Sequence, residues 1–248
     1  MPNIRVSVIN ASTVVTNAEC AELTTALQRQ VSDDFAPAWG IDATLSFVAS
    51  DQRPEADTWW LSILDTTDHA GVVGHHDLTH EGLPIGKVFA ATDRHFGLHW
   101  TVTASHELLE MLVDPDVSRA VLVHPTPGDA KLYAYEVCDP CQDDSQGYEI
   151  EGVIVGDFVY PSYFEVFRKP NSSQFDHRKQ LTAPVPAVLP GGYLSVRDMT
   201  APGIWQPVNA AAVPGSAHRA GLADRPSPRR NLRALPHSHW CRSTAFAG

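Results

Sequence analysis

Apolar side chains return along the first half of the chain in two periods. Ile4, Val6 and Val8 alternate with Arg5 and Ser7, which predicts a first strand. From residue 20 the period lengthens. Cys20, Leu23, Leu27 and Val31 recur every three or four residues, which predicts a helix from an N-cap at Asn17 to about Asp33. Residues 44–49 have strand composition, and Trp59–Leu64 is nearly all apolar, as a buried strand is. Gly82-Leu83-Pro84-Ile85-Gly86 reads as a turn and residues 87–91 as a short strand. A second helix is expected over 99–113, and Pro115 ends it.

The pattern then loosens. Residues 133–137 suit a short strand, 148–155 alternate weakly around Gly152, and 158–159 with 164–167 continue a β-like region. Residues 181–189 are broken by prolines. One domain over 1–200 is expected, followed by an Arg-, Pro- and Ala-rich disordered tail over 201–248. Charge follows that division. Six arginines and one acid fall after residue 200, leaving 12 basic and 28 acidic residues before it, so the body is near -16 and the tail near +5. An acidic body argues against nucleic acid as a partner of the main domain, because phosphate contacts need clustered Lys and Arg. The chain has no apolar run of membrane-spanning length, and its start has no signal-peptide pattern, so no membrane partner and a cytoplasmic location are expected.

The second helix carries the chemistry. Set at about 100° per residue, His106, Glu110, Thr103, Asp114 and Glu107 fall within one narrow sector, and nearly every other position from Val102 to Val113 is apolar. A surface helix shows the opposite balance, so this one is expected to be buried with its charged edge on a cleft. A narrow solvated edge is the plainer alternative. Buried carboxylates are costly unless paired or bound to a metal. His106 and Glu110, four residues apart, lie about 6 Å from one another on one face and can grip one ion. Glu107 between them can act as the general base toward a metal-bound water.

A catalytic zinc takes three protein ligands. Glu136 is the first choice for the third, Asp139 the second and Asp114 another, although Asp114 also suits a plain helix end before Pro115. The Cys138 thiolate ranks lower. The run Ala104-Ser105-His106-Glu107-Leu108-Leu109-Glu110 with Asp114-Pro115, then Glu136-x-x-Asp139-x-Cys141, resembles a group of zincin-like metallopeptidases in which His-Glu-x-x-Glu replaces His-Glu-x-x-His. The resemblance implies an α+β zincin-like fold, a mixed twisted sheet on two main helices with a β-rich C-terminal part. It also implies a divalent metal, zinc first, and Glu107 as base. In such a layout the strand at 87–91 would form the sheet edge on which an extended peptide substrate adds. One imidazole and two carboxylates cancel a dication's charge. The ion then polarises its water less than a three-histidine site does, and harder ions such as Mn²⁺ or Ca²⁺ compete.

Other residues weigh less. His75 and His76, with His80 nearby, could bind metal or sit exposed in a loop. Asp143-Asp144-Ser145-x-Gly147-x-Glu149 fails calcium-loop spacing and reads as a solvated turn. Tyr135 and Tyr148 could donate to an oxyanion, though packing is the commoner role. Cys138-x-x-Cys141 allows a redox pair. The function expected is a metal-dependent hydrolase, a peptidase first. The alternative is a non-catalytic binding or structural protein on the same scaffold.

Overall fold

A computed structural model describes residues 4–67, 72–126, 129–165, 173–200 and 205–209. Its first half contains β1 (Ile4–Asn10), α1 (Asn17–Arg29), α2 (Ala36–Trp39), β2 (Ala43–Val48), β3 (Trp59–Leu64), β4 (Gly74–Leu78), β5 (Pro84–Phe89), α3 (Ala90–His95) and α4 (Trp100–Val113). The five strands form one mixed sheet in the order β2-β1-β3-β5-β4. The first four run parallel, and β4 pairs antiparallel to β5 at the edge. Val6, Val8, Leu61, Ile63 and Val88 supply its buried apolar side chains, as parallel strands covered by helices require.

α1 begins one residue earlier than expected. Thr16, not Asn17, is the N-cap, and its hydroxyl accepts from the Glu19 amide while the Glu19 carboxylate accepts from the Thr16 amide at 2.7 Å. That reciprocal pair satisfies two amides that the first turn leaves without helical partners. Beyond Arg29 the backbone widens into a π-helical stretch, Gln30–Phe35, before α2. Gly40 ends that helix at a φ of 67°, a left-handed turn that favours glycine. α1 packs on β1 and β2, and α4 on β3, β4 and β5. Gln30 and Ser105 join across the two helical segments at 2.7 Å, which places both helices on one face of the sheet.

The edge differs from expectation. β5 spans Pro84–Phe89 and lies inside the sheet, between β3 and β4. The edge is β4, whose two consecutive histidines suggest a loop. Its burial nevertheless alternates, with Gly74 and His76 inward and His75 and Asp77 half-exposed. Residues 90–91 begin α3 instead of ending a strand.

The second half adds β6 (Ala120–Thr126), β7 (Asp129–Ala134), the hairpin β8 (Tyr148–Ile150) and β9 (Val153–Val155), α5 (Pro161–Phe164), β10 (Tyr193–Asp198) and β11 (Gln206–Asn209). A four-stranded antiparallel sheet has the order β11-β10-β7-β6. The fold is therefore α+β, with several sheets and few helices. Glu151 and Gly152 turn the hairpin with φ of 52° and 85°, the left-handed pair of a tight two-residue turn. Position 200 does not separate body from tail, because β11 pairs with β10. The rest of the expected tail, residues 210–248, lies outside the described residues, as do 166–167 of the expected β-like stretch. Among the described residues no helix is long and apolar enough to cross a membrane.

Candidate metal centre

α4 is apolar on nearly its whole circumference, and it is enclosed accordingly. Every residue from Val102 to Val113 is buried. Its charged edge is buried with it: His106 and Glu110 are each 3% exposed and Glu107 1%. The solvated-edge alternative therefore does not hold. The loop after β7 supplies Glu136 and Asp139, and β4 supplies His76 at 2% exposure. Two imidazoles and four carboxylates thus meet inside the protein.

Glu110 stands at their centre. Its Oε2 lies 3.1 Å from His106 Nε2, and His106 Nε2 lies 3.2 Å from Asp139 Oδ1. Its Oε1 accepts from the amides of Cys138 and Asp139 at 3.1 and 3.3 Å, which fixes the carboxylate against the turn Asp139–Cys141. The same Oε2 lies 3.7 Å from His76 Nδ1, which is also 3.7 Å from Glu107 Oε2, and His76 Nε2 lies 3.8 Å from Glu136 Oε2. Ligand atoms of His106, Glu110 and Cys138 lie within 4.8 Å of one another, as do those of His76, Glu110 and Glu136. The expected set of His106, Glu110 and Glu136 is therefore divided. Glu110 belongs to both groups, His106 to one and Glu136 to the other. Asp139, the second choice, approaches His106 directly.

The paired histidines of β4 resemble a loop in sequence, and His76 is hidden by that resemblance. The period-2 alternation Gly74, His76, Leu78 was the signal that could have found it, since it aims residue 76 at the helix. Glycines open the space it uses. A Cβ at Gly74 would lie 2.6 Å from Glu107 Oε1 and 2.6 Å from Thr103 Cγ2. Gly86 is the cross-strand partner of His76, and a Cβ there would lie 2.9 Å from Leu61 Cδ1 and 3.5 Å from Glu107 Cβ. The helix can thus lie close on the sheet only because both residues lack side chains.

The electrostatics follow from enclosure. Burial lowers the pKa of His106, but Glu110 and Asp139 outweigh it and raise the value to about 10. Burial likewise opposes protonation of His76, and Glu107, Glu136 and Glu110 raise it to about 9. Burial, then the charge of Asp139, pushes Glu110 upward against the pull of both imidazoles. The carboxylates hold protons on imidazole where a bound cation would release them. Residues and group fit: donors are of metal-ligand type, and His76 Nε2 is buried without a hydrogen bond, its Glu136 contact being too long for one.

The other candidates have structural roles. Asp114 closes the turn after α4 by accepting from the amides of Ser118 and Arg119 at 2.9 and 3.0 Å, and it stands in neither ligand group. Asp143 caps the turn Asp144–Gln146, and Asp144 accepts from the His99 amide at the start of α4. Tyr148 donates to Asp34 at 2.8 Å and Tyr135 stacks on Phe164. Burial first, then Glu110, holds the Cys138 thiol well above its ordinary range, and burial does the same for Cys141. That opposes the thiolate a redox pair needs. Behind the centre, Ser105 donates to Gln30 Oε1 at 2.7 Å and accepts from the Gly156 amide at 3.1 Å, and Gln30 donates to the Gly156 carbonyl at 2.8 Å. This network holds α4 against the hairpin side one residue before His106. No family model, no curated protein and no solved structure matches the chain.

Proposed function

We propose that the protein is a divalent-metal-dependent hydrolase, a peptidase first, with its ion between His106 and Glu110 and with zinc as the first choice. The observation that carries this reading is the 3.1 Å convergence of His106 and Glu110 on a buried helix that also carries Glu107. Asp139 or Cys138 is the third ligand this arrangement favours, in place of Glu136. A bound ion supplies Lewis acidity at a scissile carbonyl. Glu107 takes the proton of the attacking water and returns it to the leaving amine. Gly74 and Gly86 position Glu107 by allowing its helix to lie against β4 and β5. Asp139 and Cys138 orient Glu110 through their amides, leaving its Oε2 toward His106.

A second reading draws on the burial itself. Structural metal sites are closed, whereas catalytic ones keep an open position. With every candidate ligand under 7% exposed, a metal that only braces α4 against the loop after β7 is the rival. Digestion of a peptide library by zinc-loaded protein separates the two. Under the first reading Glu107→Gln retains its metal and loses about 10²–10⁴-fold in rate. Bound metal in the parent protein with no cleavage favours the rival.

A further inference from the structure

The geometry points to a second cation position beside the first, formed by His76, Glu110 and Glu136, with Glu110 bridging the two. This inference rests on the reading that His106 and Glu110 hold an ion, and it adds another ion to that centre.

The two ligand groups share only Glu110. His106 and Cys138 complete one group and His76 and Glu136 the other, so each group offers a place for an ion of its own. The second group has an independent mark. His76 Nε2 is buried within it and makes no hydrogen bond, and a buried imidazole nitrogen left in that condition costs free energy. An imidazole nitrogen buried against a carboxylate becomes a ligand atom when a cation takes the place of its proton.

The contacts of the two histidines differ. Donors about 2.0–2.1 Å from one tetrahedral ion stand roughly 3.3–3.4 Å apart. The His106 contacts, at 3.1 and 3.2 Å, are close to that edge. The His76 contacts use its two ring nitrogens, Nδ1 toward Glu110 Oε2 at 3.7 Å and Nε2 toward Glu136 Oε2 at 3.8 Å, and an ion takes one of them. One imidazole and two carboxylates make an oxygen-rich donor set, so the second position suits a harder divalent ion such as Mn²⁺ better than zinc. The sheet register aims His76 at α4, because it faces Gly86 across the strand pair and follows Gly74 on the same face.

The test is metal stoichiometry of the full-length protein, dialysed against Zn²⁺, Mn²⁺ or both and analysed by plasma mass spectrometry. The expected result is two ions per chain, falling to one in His76→Leu and to one in Glu136→Gln. The second variant keeps the imidazole and changes only a carboxylate, so it stands if the first fails to fold, and circular dichroism reports folding for both. One ion per chain in the parent, unchanged in Glu136→Gln, overturns the second position and leaves the hydrolase reading intact. One ion that either variant removes also overturns it, because a single ion is then held from both sides. No ion in the parent overturns both.

Discussion

Two groups of buried carboxylates lie in the second half of the fold and beside α4, and they are balanced differently. Asp157 and Asp176 are 1% and 0% exposed. Asp157 Oδ1 accepts from the amides of Phe158 and Arg178, and Asp176 accepts from those of Gln180 and Leu181. Burial, then the contact with Asp176, pushes Asp157 up to about 8. Backbone amides and one retained proton therefore satisfy this pair, which leaves no use for an ion. At Glu110 amides reach one oxygen only, and imidazoles surround the other. Burial of acids alone does not mark a metal site. The group beside α4 differs in having an inward imidazole nitrogen, His76 Nε2, without a hydrogen bond.

The largest expected effect is on ion-dependent stability. A ligand at a thousand times its dissociation constant adds about 4 kcal/mol to folding, and a kcal/mol moves the midpoint of a chain this size by roughly 2–4 °C. Chelation of the loaded protein should therefore lower Tm by about 8–16 °C, and His106→Leu should abolish that difference while Asp157→Asn leaves it whole. Equal Tm with and without chelator in the parent would remove the contrast between the two groups.

The pair is tested by pH. A folded-state pKa raised to about 8 means that the native protein keeps a proton which the unfolded chain releases near the ordinary aspartate value of about 4. Stability from this pair is complete below that value and falls as pH rises toward 8. Asp157→Asn keeps the Oδ1 acceptor and needs no proton. It should match the parent near pH 4 and exceed its Tm by several degrees near pH 8.5. A variant with the parent's slope between those values would show that the proton is not shared there.

Smaller effects probe fit. Gly74→Ala puts a methyl group 2.6 Å from Glu107 Oε1, so peptide cleavage should drop at least about tenfold, roughly 1.4 kcal/mol of barrier, with metal content unchanged. Full cleavage would mean that Glu107 can act from another rotamer. Ser105→Ala strands Gln30 Oε1 and the Gly156 amide, and a stranded buried group costs about 1–3 kcal/mol. Urea unfolding should register that loss with the metal content intact.

The helix and its buried edge were legible in the sequence because a 3.6-residue period with so narrow a polar sector suits only a helix enclosed on nearly every side. β1, β3 and α1 were legible for the same reason, since each carries an unbroken apolar period. His76 was not, because adjacent polar residues resemble a loop until a neighbouring strand shows which of them points inward. Nor could spacing choose among Glu136, Cys138 and Asp139. They lie in irregular backbone after β7, where only the amides that reach Glu110 decide the approach. β6 and β10 escaped because strands in a half-exposed antiparallel sheet need no continuous apolar run, and β11 fell in a proline-bearing stretch that resembles a tail.

His76 belongs to the outermost strand, which is hydrogen-bonded along one side only. An ion gripped by that imidazole would fasten the sheet's border to the central helix. Fraying of the border and loss of the ion would then be one event, and amide exchange along residues 74–78 would report on occupancy at a distance from any substrate.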